Sequence, residues 1–130
     1  MIKKEIQICG KPVVLGASAL LPKIYRINFG KDMVADMNRL RKSFNAAQNL
    51  SKNATEEERE AAQLDEIDLT IFERTAWAMA YHADKEGIVP RDPDAWLESF
   101  DGVFSIYEVF PVILELWGIN QKTTSVPTKK

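Results

Sequence analysis

The sequence predicts a mostly α-helical protein, a five-helix domain preceded by a short N-terminal β-hairpin. Three observations lead there. Alternation of apolar and polar residues is confined to the start of the chain. Apolar residues recur at helical spacing through most of the remaining sequence. Helix-starting and helix-stopping residues stand where those periodic runs begin and end. The length, 130 residues, suits one domain with a core of its own. That domain is expected to span residues 1–118, with a disordered polar tail at 119–130.

Ile6-Gln7-Ile8 alternates as a half-buried strand does, Cys9-Gly10-Lys11 reads as a turn, and Pro12-Val13-Val14-Leu15 is a second β-prone run. Proline is tolerated at the first residue of a strand. Together they predict a hairpin over about residues 4–15, which needs something to pack on, because two strands alone are marginal in water. Gly16 and Ser18 mark the change to helix. Leu20, Ile24 and Ile27 then share a helical face, and Gly30 is a C-terminal stop. Asp32 is a good N-cap for a second helix with the stripe Met33, Met37, Leu40 and Phe44, opposite Arg39, Arg41 and Lys42. Residues 45–55 are polar and read as a loop.

Thr55 and Glu58 form a capping-box pattern, and the glutamates at 56, 57, 58 and 60 complement the positive end of a helix. The helix they open is expected to be the longest, about 56–84. Its stripe is Leu64, Ile67, Ile71, Ala78 and His82, widened by Phe72 and Met79, with Trp77 on the more charged side near Glu66 and Glu73. Asp92-Pro93 caps a short helix carrying Trp96, Leu97 and Phe100. Asp101-Gly102 turns the chain into a last helix from about Phe104 to Trp117, stopped by Gly118.

Composition narrows the function. The formal net charge of −2 argues against duplex nucleic acid, whose binding needs a basic field. Cys9 is the single cysteine, so no intramolecular disulfide forms, and a reducing compartment is the simplest reading. No stretch approaches the ~18 apolar residues of a membrane span, and no signal-peptide core comes after the first residues.

No catalytic, cofactor-binding or metal-binding residues stand out. A metal site needs several converging ligands, and the lone His82 and Cys9 are far apart in sequence. His82, on the apolar stripe, reads as a core histidine bonded to a carbonyl. The carboxylates come in runs that fan around helices, and the isolated Gly10 and Gly16 belong to no phosphate-binding loop. The basic group Arg39, Arg41 and Lys42 reads as a solvated helix face.

The last helix carries more information. Ile106, Phe110, Ile113, Leu114 and Trp117 make one apolar face, and Val109, Val112 and Leu116 extend it around the side. One-sided packing needs an apolar arc of ~100° or somewhat more, and this one spans about twice that. The helix is therefore either central in the domain or also covered by another chain. Pro111 inside it removes the bond to Tyr107 and is expected to kink it. The interface candidates are Val109, Val112 and Leu116 here and Trp77 on the long helix, while Trp96 and Trp117 are assigned to the core.

The order of these parts resembles the tail assembly chaperones of long-tailed bacteriophages and prophages of Gram-positive bacteria. The likeness rests on the opening hairpin with Ile6-Gln7-Ile8 and Gly10-Lys11, and on Tyr25-Arg26-Ile27-Asn28-Phe29-Gly30-Lys31-Asp32 leading into a helix. It continues in Asp94-Ala95-Trp96-Leu97-Glu98-Ser99-Phe100, the apolar helix after it, and a lysine-terminated polar tail. These are pattern similarities over nearly the whole chain, with no catalytic signature to carry over. The resemblance implies a protein that self-associates and binds the tape measure protein, keeping it soluble until the tail tube polymerises. It also implies action in the host cytoplasm, absence from the mature virion, and partnership with a longer frameshifted form, with which the Lys129-Lys130 ending is compatible. A small regulatory or nucleic-acid-binding helical protein is the competing expectation, and a helical enzyme using carboxylates the third.

Overall fold

The structure, a computed structural model, describes residues 1–50, 53–61 and 63–122. The chain begins with strands β1 (Ile2–Ile8) and β2 (Lys11–Ala17), followed by helices α1 (Leu21–Phe29) and α2 (Met33–Gln48). Helices α3 (Glu56–Ala61), α4 (Glu66–Ala83), α5 (Pro93–Glu98) and α6 (Ile106–Lys122) complete it. The architecture is mostly α with a leading hairpin, as the periodicity predicts.

The hairpin is longer than the alternation suggests. Its strands pair antiparallel from Ile2↔Ala17 to Ile8↔Lys11. Cys9 and Gly10 form the two-residue loop, both at positive φ (53° and 78°), the geometry whose twist matches that of paired strands. In such a loop the flanking residues, Ile8 and Lys11, exchange hydrogen bonds, and the pairs alternate from there. Pro12 opposite Gln7 thus falls on a non-bonded pair, where its missing N–H costs no ladder bond. One face of the hairpin, with Ile8, Val13, Leu15 and Ala17, is buried. β2 lies between β1 and α4. A Cβ added at Gly16 would stand 3.0 Å from that of Ala83 and closer still to the sulfur of Met1, so glycine permits this approach.

α2 begins as predicted: the Asp32 carboxylate accepts from the Val34 amide at 3.0 Å, and Met33, Met37, Leu40 and Phe44 are buried. It runs on to Gln48, because Asn45-Ala46-Ala47-Gln48 contains no breaker and alanine is the best helix former. α1 ends at Gly30, whose left-handed conformation (φ 66°) lets its amide close onto the Arg26 carbonyl.

Two boundaries differ from expectation. The single helix predicted over 56–84 is divided, giving six helices among the described residues instead of five. Thr55 and Glu58 cap α3 reciprocally as predicted. A second capping box then restarts the chain as α4: the Asp68 amide donates to Asp65 at 2.8 Å and the Asp65 amide donates to Asp68 at 3.2 Å. The Asp-x-x-Asp spacing is visible in the sequence but is masked by the helical periodicity on both sides. At the other end, α6 passes through Gly118 to Lys122. Gly118 does not adopt the positive φ of a helix stop, and glycine inside a helix costs only about 1 kcal/mol. Residues 119–122 of the predicted tail are therefore helical, and 123–130 lie outside the described residues.

α4 is the central element, contacting β2, α1, α2, α5 and α6. Thr75-Ala76-Trp77-Ala78-Met79-Ala80 is buried without interruption, and its alanines allow close approach from several sides. A chain of ring contacts links α5 to α2 through the core: Trp96–Phe104, Phe104–Phe72, Phe72–Phe110 and Phe110–Phe44, at centroid distances from 5.0 to 6.3 Å.

Candidate binding surfaces

The structure removes three of the four interface candidates from the surface. Trp77 is 1% exposed; its indole N–H donates to the Pro90 carbonyl at 2.9 Å, and its ring meets Tyr81 and Phe29. Nearby charges suggest a solvent-facing side of the long helix there, but α1 and the 84–90 segment cover it at this level. Val109 and Leu116 are buried as well. α6 contacts α4 and both strands, and its Phe110 meets Phe44 of α2, so its wide apolar arc is filled within the chain. Val112 alone is half-buried. Trp96 and Trp117 are core residues, as expected.

α1 behaves in the opposite way. Its buried side is Leu21 and Tyr25, with Phe29 packed beside them. The stripe that the spacing picks out faces outward: Leu20 is half exposed, Ile24 is half-buried and Ile27 is 69% exposed. The helix thus has two apolar stripes, and the packed one carries the aromatic residues. Tyr25 fixes the rotation. Its hydroxyl donates to Asp36 at 2.7 Å, and burial, reinforced by that carboxylate, pushes the phenol well above its ordinary value. The Arg74 guanidinium, 5.1 Å from the Phe29 ring centroid, covers the same side. Lys23 and Arg26 flank the outward stripe, and the helix contains no acidic residue.

A second concavity, about 600 Å³, lies between the outer face of the hairpin and the end of α4. Val14, Ala80, Ala83, Ile88, Trp96 and Phe100 supply apolar walls, and three lysines (Lys3, Lys11, Lys85) and three carboxylates (Glu5, Asp84, Glu86) add charge to the lining. A smaller cleft of about 390 Å³ between α2 and α4 is charged, with Lys31, Asp36, Arg39, Glu66 and Arg74 around Ile67 and Ile71. Ile67, predicted on the core stripe, is 56% exposed at this cleft because α4 has only just restarted there. Arg39, from the basic group, bonds Asp65 at 3.1 Å and the buried Asp68 at 3.3 Å, so it ties α2 to the α4 cap.

Among the described residues no group of three or more His, Cys, Asp and Glu is placed to hold a metal, and no helix is long and apolar enough to cross a membrane. Cys9 is exposed, its thiol 3.4 Å from the Val103 carbonyl. Burial, and then the charge of Asp94, raise the Glu73 carboxyl above its ordinary value. No family model, curated protein or solved structure matches the chain.

His82 is half-buried and bonds the Ser18 hydroxyl through Nε2 at 2.7 Å, not a carbonyl. Burial, and then the Met1 ammonium, lower its pKa. The unfolded chain takes up the imidazole proton near pH 6.5, while the folded chain resists until lower pH, so acidification favours unfolding in that window. Denaturant midpoints measured between about pH 7.5 and 5.5 are expected to fall for the native sequence and to fall less for His82→Asn. The depressed Asp65 and Asp84 act at lower pH, because their contribution is lost only as the pH drops below the ordinary carboxylate range.

Proposed function

We propose that this chain is a phage tail assembly chaperone. It binds helical segments of a tape measure protein in the host cytoplasm, keeps them soluble, and leaves before the virion is complete. The observation that carries the reading is the outward stripe Leu20, Ile24 and Ile27 on α1. Leu20 and Ile27, exposed two helical turns apart with the half-buried Ile24 between them, fit a second amphipathic helix, in the manner of helix-to-helix recognition. The basic flanks, Lys23 and Arg26, favour partner segments with acidic residues beside their apolar stripe. Such a contact is small, which suits a helper that must be displaced, and many copies along a long partner compensate through avidity. The order of elements that resembles the chaperone family supports the same assignment.

A nucleic-acid role has less support, since Arg39 is held by two carboxylates. Co-expression with a candidate tape measure protein tests the proposal. The partner is expected to become soluble and to co-purify with this chain. A partner equally insoluble with and without it would refute the assignment.

A further inference from the structure

β1 is an edge strand. Its main neighbours are β2 and α6, and among the described residues no backbone bond outside the hairpin reaches it. The two-residue loop fixes which groups are left over. Ile8, Ile6, Lys4 and Ile2 lie on bonded pairs with β2, so the N–H and C=O groups of Lys3, Glu5 and Gln7 point away from it. A free edge of this kind is a template for another strand.

We propose that β1 pairs antiparallel with β1 of a second copy across a two-fold axis at Lys4, joining two hairpins into one four-stranded sheet. Only residues with outward groups can exchange bonds, which limits the registers to steps of two. Centred on Lys4, the strand is complementary to itself. Lys3 faces the partner's Glu5, Glu5 faces the partner's Lys3, and Ile2 and Ile6 face each other across the axis. A slip of two in one direction sets Glu5 against the partner's Glu5, and in the other Lys3 against the partner's Lys3, and like charges directly opposite are unfavourable. The central Lys4 pair is neutralised within each chain, since its ammonium bonds Glu115 of α6 at 2.7 Å.

Two further features agree. Lys3 carries a burden that an incoming carboxylate relieves: lost hydration and then the nearby Lys85 ammonium hold its pKa below the ordinary value. Glu108, Val112 and Glu115 share one side of α6, and the Lys4–Glu115 bond places that side toward β1. The half-buried Val112 therefore lies where a second copy would arrive. The inference deepens the proposed chaperone role, whose family resemblance implies self-association, but it does not rest on the identity of the long partner, which co-expression reads separately.

Sedimentation across a dilution series, with thermal melts as a folding control, is the test. The native chain is expected to dimerise. Glu5→Lys, on an exposed strand position, is expected to raise the dissociation constant at least about tenfold without changing the monomer melt, and Lys3→Glu to do the same. The double variant Lys3→Glu/Glu5→Lys restores opposite charges across the axis and is expected to return the constant to near the native value. A native chain that stays monomeric, a Glu5→Lys chain that associates like the native one, or a double variant as weak as the single ones would overturn the proposal.

Discussion

Trp77→Ala is expected to destabilise the fold by about 3–5 kcal/mol, the range for truncating a large buried aromatic. The indole is fully enclosed, stacks on Tyr81 at 4.8 Å, meets Phe29 edge-on, and holds the 84–90 segment through the Pro90 carbonyl. Removing it opens a cavity where α1, α4 and that segment meet and leaves a carbonyl without its donor. Against a typical total of about 5–15 kcal/mol, much of the protein's stability is lost. A denaturant titration compared with the native chain gives the difference directly. A loss below about 1 kcal/mol would mean that Trp77 does not hold these three elements together.

The second large effect separates core from surface on α6. Leu116→Asp places a carboxylate where the side chain is 1% exposed, within the apolar core. The variant is expected to be unfolded, or to lose at least about 4 kcal/mol. Val112→Asp, four residues earlier and half-buried, is expected to leave the monomer folded and to weaken association. Circular-dichroism melts read the first outcome and sedimentation the second. Equal damage from both substitutions would return Val112 to the core and remove α6 from the dimer edge.

Much of the architecture is legible because local signals agree with tertiary ones. The Asp32 cap, the Met33–Met37–Leu40–Phe44 stripe, the Gly30 stop and the Thr55–Glu58 box each combine a backbone requirement with a side chain that meets it. The failures have physical causes. Periodicity finds apolar stripes but does not say which stripe is packed. On α1 the bulk of Tyr25 and Phe29, and the bond to Asp36, turn Leu21 inward and leave Leu20 and Ile27 outside. On α4 the helix is enclosed by five elements, so the solvent-facing side inferred from Glu66 and Glu73 ends before Trp77. On α6 the wide apolar arc allows two explanations, and the strands and α2 supply the covering that decides for a central helix.

The candidate surface is thus present in the sequence without its role. Leu20, Ile24 and Ile27 form a stripe that periodicity finds without saying whether it is packed, while Trp77, Val109 and Leu116 read as interface residues and belong to the core. The edge of β1 is not legible in the sequence, because it depends on strand order and on the loop that sets the bonding phase. The charge order Lys3-Lys4-Glu5 gains meaning only once that phase is known.

In the proposed function, α1 presents its outward stripe to a long helical partner. Co-expression of that partner with the native chain and with Ile27→Asp is the most direct measurement. Ile27 is 69% exposed, so the substitution is expected to leave the melting temperature of this chain unchanged. The native chain should bring the partner into the soluble fraction, and the Ile27→Asp chain should lose most of that effect. A folded Ile27→Asp chain that solubilises the partner as well as the native one would contradict the account.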